Sequence, residues 1–190
     1  SGSYLPAKKV HASEIQAKMS VDAEWIIKKT GVENRHYAEG ETIASMAAKA
    51  VKVAMNKANL NYTDIDMLID AGGTPDQPIP HNSALIHNEL ELPVHITCFD
   101  INATCLSFVQ ALHTASCFIN SDAYKRIIIV SSEKASVGLN YNSPESAALL
   151  GDGAVAFIIE KTHEDSGILF TKFSTHSEAV HLTEIEAGGT

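Results

Sequence analysis

Phe99-Asp100-Ile101-Asn102-Ala103-Thr104-Cys105-Leu106-Ser107-Phe108 joins two different patterns through a short turn of small and polar residues. Before it, Val94 to Ile101 reads as a strand; after it, Cys105 to Asn120 reads as a helix. Arg126 to Ser131 (Arg-Ile-Ile-Ile-Val-Ser) then gives a nearly all-apolar strand. Strands apolar on both sides belong in the middle of parallel or mixed sheets covered by helices. The unit strand, tight turn, helix, strand therefore decides the fold class.

Working outward, the unit repeats. Residues 41–59 form the clearest helix, with Ile43, Met46, Ala47, Ala50, Val51, Ala54 and Ala58 at three- and four-residue steps. Its many alanines predict close packing on a sheet. Asp66 to Ala71 reads as a buried strand that stops at Gly72-Gly73. Pro75, Pro78 and Pro80 forbid regular structure beyond it, because each lacks an N–H and restrains the residue before it. Asn82 or Ser83 can cap a helix running to about Leu90. Toward the C-terminus, Gly151 to Glu160 is a further strand, and Gly167 to Ser174 is expected to be its hairpin partner. The alternation predicts a layered α/β domain.

Composition narrows the function classes. The 190 residues are 45% hydrophobic and 19% charged, enough for a real core in one domain or one domain with a piece of a second. The net charge of −9 argues against nucleic acid as the main partner. The charge is uneven: residues 1–57 carry nine Lys and Arg against six Asp and Glu, the remainder five against seventeen. No apolar run approaches the roughly 20 residues that span a bilayer, and no signal-peptide pattern opens the sequence. The expectation is a cytoplasmic protein without a membrane partner. Cys98, Cys105 and Cys117 show no C-x-x-C spacing and fit a reduced compartment. His81, His87, His95, His113, His176 and His181 show no metal-ligand spacing, so no metal is expected.

Cys105 is the candidate for chemistry. The start of a helix carries partial positive charge and free N–H groups, which favour a thiolate and can hold an oxyanion formed when it attacks a carbonyl. A turn that presents a nucleophile at a helix start is a recurring device. The alternative is a buried, inert cysteine. Cys98 and Cys117 read as packing residues.

Several separated motifs agree in order and spacing with one family. Gly2-Ser-Tyr-Leu-Pro6 opens the chain; Glu24-Trp-Ile-Ile27 is followed by Thr30-Gly-Val32 and Arg35-His36; Asn102-Ala-Thr-Cys105 and Gly151-Asp-Gly-Ala154 come later. Over about residues 2–175 the chain resembles the N-terminal half of the thiolase-fold condensing enzymes, specifically 3-oxoacyl-acyl-carrier-protein synthase III. The resemblance implies a thiolase-like α/β/α layered domain with a mixed five-stranded sheet over residues 1–175. Residues 176–190 would begin the connection to a second half-domain.

The resemblance also implies a decarboxylating Claisen condensation. Cys105 would take an acyl group from acyl-coenzyme A, and a malonyl-type extender on acyl carrier protein would lose carbon dioxide and attack the thioester. The substrates are thioesters and no further cofactor is implied. Trp25 would stand at the mouth of the pantetheine channel, where the family stacks adenine between this ring and an arginine; here that position is Lys29, which offers charge without a planar face. Ile79 aligns with a bulky residue that closes the acyl pocket of the other protomer in a homodimer. Leu106 and Ser107 replace the common Ala-Gly and imply a specialised acyl preference. Arg35 matches a family arginine that can serve a structural ion pair. The His and Asn of decarboxylation belong to the second half of the fold. Two other readings keep part of this: an acyltransferase or thioesterase without decarboxylation, and a non-catalytic partner subunit.

Overall fold

The computed structural model describes residues 1–162 and 164–182. In chain order the elements are β1 (Gly2–Tyr4), β2 (Lys8–His11), α1 (Ala12–Ile15), α2 (Ala23–Thr30), β3 (Asn34–Tyr37), α3 (Ile43–Ala58), β4 (Met67–Asp70), α4 (Asn82–Glu89), β5 (Thr97–Asp100), α5 (Ser107–Asn120), β6 (Arg126–Lys134), α6 (Pro144–Ala147) and β7 (Asp152–Glu160). One five-stranded sheet has the order β1-β7-β6-β4-β5. β4 pairs parallel with both β5 and β6, while β7 pairs antiparallel with β6 and with β1. The sheet is therefore mixed, as the motifs imply.

Side-chain alternation along the central strands explains the layers. Leu68, Ile128 and Val130 point to one face, where they meet Met46, Ala47, Ala50, Val51 and Ala54 of α3 and Ile86 of α4. Met67, Ile69, Ile127 and Ile129 point to the other, against Ala111, Ala115 and Ile119 of α5. Successive residues of a strand face opposite sides, so a strand inside a three-layer domain must be apolar throughout. Thr42 caps α3 by accepting from the Ser45 N–H, and Asn59 ends it in a left-handed conformation.

The alanines of α3 let β1 lie directly on the helix backbone. A Cβ added at Gly2 would collide with the backbone of Ala50 and Ala54, atoms that cannot move aside. Gly2→Ala is expected to cost about 2 kcal/mol by forcing β1 off the sheet. Urea unfolding measures this, and a wild-type midpoint would show that β1 is dispensable.

Two strand expectations need correction, and one ribbon goes unread in the sequence. Gly167–Ser174 forms no strand: β6 and β1 already occupy both edges of β7, so no place is left for a hairpin partner. β6 runs on to Lys134, three residues past the expected end. The ribbon of β2 and β3, paired antiparallel between Lys8 and Tyr37, carried no clear signal because Val10 and Arg35 are its only buried residues.

Candidate functional site

The turn that carries Cys105 is held from both ends. Ile101 N–H, just past β5, donates to the Asp70 carbonyl at 2.8 Å, which anchors the chain where it leaves the sheet. Asn102 Oδ1 accepts from Thr104 N–H at 2.9 Å, and Thr104 stands at φ 51°, in the left-handed region unusual for a β-branched residue. Ser107 Oγ accepts from Ala103 N–H at 2.9 Å and donates to the Thr104 carbonyl at 2.7 Å. Ser107 is buried and committed to the turn, while Leu106 beside the thiol is 57% exposed.

Cys105 lies within a single 3₁₀ turn, Thr104–Leu106, immediately ahead of α5. The expected helix start is thus two residues early: the α-helix begins at Ser107. Cys105 is exposed. An accessible thiol beside the free N–H groups of a helix start can attack a carbonyl carbon and find donors for the resulting oxyanion.

A group of carboxyls lies at the carboxyl ends of the parallel strands, the usual place for ligands in such sheets. Asp100, at the end of β5, accepts from the N–H groups of Asn82 (2.7 Å) and Ser83 (2.8 Å) and so caps α4 from outside the helix. The expected local cap is replaced by this tertiary one. Glu133 of β6 accepts from Gly73 N–H at 2.5 Å and from the Thr74 hydroxyl at 2.6 Å. Asp70 ends β4 and is 3% exposed. Its Oδ2 accepts from Asn82 Nδ2 at 3.1 Å, and its Oδ1 has no partner among the described residues. Burial pushes the Asp70 carboxyl up to about 7, with the Asp100 and Glu133 charges adding to the rise against the Asn82 hydrogen bond.

Sequence reasoning missed Asp70 and Glu133. An acid inside an otherwise apolar strand, directly before Gly72-Gly73, was the available signal for the first. Glu133 lay beyond the strand as read, so nothing singled it out.

The remaining candidates lie apart from this turn. Trp25 of α2 is half-buried in a satellite cluster with Ala12, Ile26 and Ala148, and Lys29 is exposed in the last turn of the same helix. Ile79 is 85% exposed in the proline-rich loop, before a cis peptide to Pro80. Among the described residues no hydrogen bond or ion pair joins Cys105, Trp25, Lys29 and Ile79 to one another. Arg35 is structural, yet through carbonyls and not an ion pair: its Nε and Nη2 donate to the Ala148 carbonyl, and Nη2 also to that of Val32. Cys98 is half-buried in β5, where burial pushes its thiol up. Cys117, expected to pack, is exposed. Among the described residues no group of three or more His, Cys, Asp or Glu is placed to hold a metal ion, and no helix is long and apolar enough to cross a membrane.

Comparison with known proteins agrees with this geometry. A family model described as 3-oxoacyl-[acyl-carrier-protein (ACP)] synthase III matches residues 99–178, which include the Cys105 turn. Beta-ketoacyl-[acyl-carrier-protein] synthase III 2 of Bacteroides thetaiotaomicron is 36% identical over 99% of this chain and 56% of its own length. Among solved structures, the 3-oxoacyl-[acyl-carrier-protein] synthase III of Aquifex aeolicus superposes with a TM-score of 0.82 at 32% identity, covering 86% of this chain and 53% of that one. The priming beta-ketosynthase of a polyketide biosynthetic pathway gives a TM-score of 0.80 at 28% identity, over 85% of this chain and 48% of that one. The chain thus spans little more than half the length of the curated relative it matches.

Proposed function

We propose, from the similarity of this chain to the N-terminal half of 3-oxoacyl-[acyl-carrier-protein] synthase III proteins, that it is such a half and supplies the nucleophile of a decarboxylating condensation. The observation that carries the reading is an exposed cysteine in a braced turn directly ahead of α5, on a thiolase-like sheet. In the first half-reaction the Cys105 sulfur attacks the thioester carbonyl of acyl-coenzyme A. The bond to the coenzyme's sulfur breaks, and the free coenzyme leaves as its thiol. In the second, a malonyl-type group on acyl carrier protein loses carbon dioxide, and the carbanion equivalent attacks the acyl-enzyme. That step forms the carbon–carbon bond and returns the Cys105 thiolate.

A thioester suits both halves because sulfur attacks well and leaves well. The groups that promote decarboxylation belong to the second half of the fold, which residues 176–190 would lead into from the domain of residues 1–175. Trp25 and Lys29 of α2 serve the coenzyme at the channel mouth, Lys29 through its charge. Ile79 reaches the acyl pocket of a second protomer in a homodimer. The position of β5 at the sheet edge supports that assembly, because an edge strand leaves one row of N–H and C=O groups free to pair. The product would feed fatty-acid or a specialised lipid or polyketide synthesis in the cytoplasm, with thioester substrates and no resident cofactor.

Intact-mass spectrometry of the protein carrying its C-terminal half, incubated with a panel of acyl-coenzyme A donors, tests the reading. One acyl group is expected per chain, on the peptide that holds Cys105, and the same sample is expected to scatter light as a dimer. An unmodified protein across the panel would overturn the condensing role.

A further inference from the structure

Glu133 stands on β6, far in sequence from the nucleophile, yet its carboxylate is joined to the Cys105 turn through one intervening loop. Its two oxygens accept from Gly73 N–H (2.5 Å) and the Thr74 hydroxyl (2.6 Å). Those bonds fix the loop that follows β4, which has no regular structure of its own. On its other side that loop rests on the nucleophile turn. The Gly73 carbonyl accepts from Asn102 Nδ2 at 3.5 Å, at the long end of hydrogen bonding. A Cβ built on Gly73 would lie 4.0 Å from Thr104 Cα and 3.5 Å from the Glu133 carboxylate, so the loop is sandwiched between the two. Asn102 then turns its other amide atom to the Thr104 N–H (2.9 Å), the residue held at φ 51° directly before Cys105.

We infer that Glu133 is a positioning residue for the nucleophile, acting through Gly73 and Asn102 to hold Thr104 in the left-handed conformation that presents Cys105. A β-branched residue leaves that conformation unless its surroundings hold it there. Ser107 braces the turn from the helix side, and Glu133 braces it from the sheet side. Glu133 touches no reacting atom. Its role rests on Cys105 being the nucleophile of the proposed reaction, but the presentation of the thiol can be measured without any acyl donor.

The test is the rate of iodoacetamide alkylation at Cys105 in this chain, divided by the rate at exposed Cys117 in the same molecule. In Glu133→Ala, which loses both bonds to the loop, the ratio is expected to fall about fivefold, the order of one hydrogen bond's worth reaching the turn. Asn102→Ala is expected to fall similarly, and the double variant no further, because both break one line of contacts. Glu133→Gln keeps an oxygen for Gly73 N–H while removing the charge, so it is expected to restore most of the ratio. Three results would overturn the inference: an unchanged ratio in Glu133→Ala, equal behaviour of the Ala and Gln variants (a pure charge effect), or additive losses in the double variant. A failure of acyl transfer with an intact alkylation pattern would instead count against the condensing reaction alone.

Discussion

Cys105→Ala is expected to abolish the acyl adduct and to lower condensation by roughly 10⁴-fold or more, the scale seen when a covalent nucleophile is removed. The variant should fold as the parent does. The side-chain hydrogen bonds that shape the turn run through Asn102, Thr104 and Ser107, and among the described residues none uses the Cys105 thiol. A changed melting temperature would therefore contradict the turn's construction, while residual activity above about one part in a hundred would contradict the covalent route. Cys98→Ala and Cys117→Ala are the controls. Cys98 sits half-buried at β5 and Cys117 two turns or more along α5 from the start of that helix, so both variants should keep the adduct. Adduct mass and product formation, measured on the same preparations with the C-terminal half present, read the two effects together.

The parts of this fold that could be read from the sequence are those whose residues face only one kind of neighbour. β4 and β6 are apolar on both sides because helices cover both sides, and that pattern is visible in Met67–Ile69 and Ile127–Val130 without any partner being known. α3 announces itself by its alanine stripe and its Thr42 cap. Cys105 was legible because its turn is local in sequence. What escaped depends on neighbours distant along the chain. The apolar run Ile168-Leu169-Phe170 looks like a strand, but the edge it would need is filled by β1, the first strand of the chain. All three of those residues are exposed. The cap of α4 comes from Asp100 on β5 and not from its own first residues. Glu133 and Asp70 acquire their significance only where three strand ends converge, and no spacing rule in one sequence records that.

That convergence makes Asp70→Asn a stabilising change whose size depends on pH. In the folded chain the Asp70 carboxyl is pushed up to about 7, first by burial and then by the charges of Asp100 and Glu133. In the unfolded chain it returns to an ordinary carboxylate value near 4. Below that value both states hold the proton, and Asp70 costs nothing. As pH rises toward 7 the unfolded chain releases its proton while the folded chain keeps it, so stability falls. Above 7 both are ionised and the penalty is complete, on the order of 4 kcal/mol. Asparagine is never charged. Its oxygen can still accept from Asn82 Nδ2, and it adds no charge beside those of Asp100 and Glu133 that repel the ionised acid. Asp70→Asn is therefore expected to raise stability by about 4 kcal/mol at pH 8 and by about 1 kcal/mol or less at pH 4.5, measured by urea unfolding of both proteins across that range. A gain independent of pH would mean that packing is responsible and not the charge, and a loss at pH 8 would mean that the ionised carboxylate is wanted where it stands.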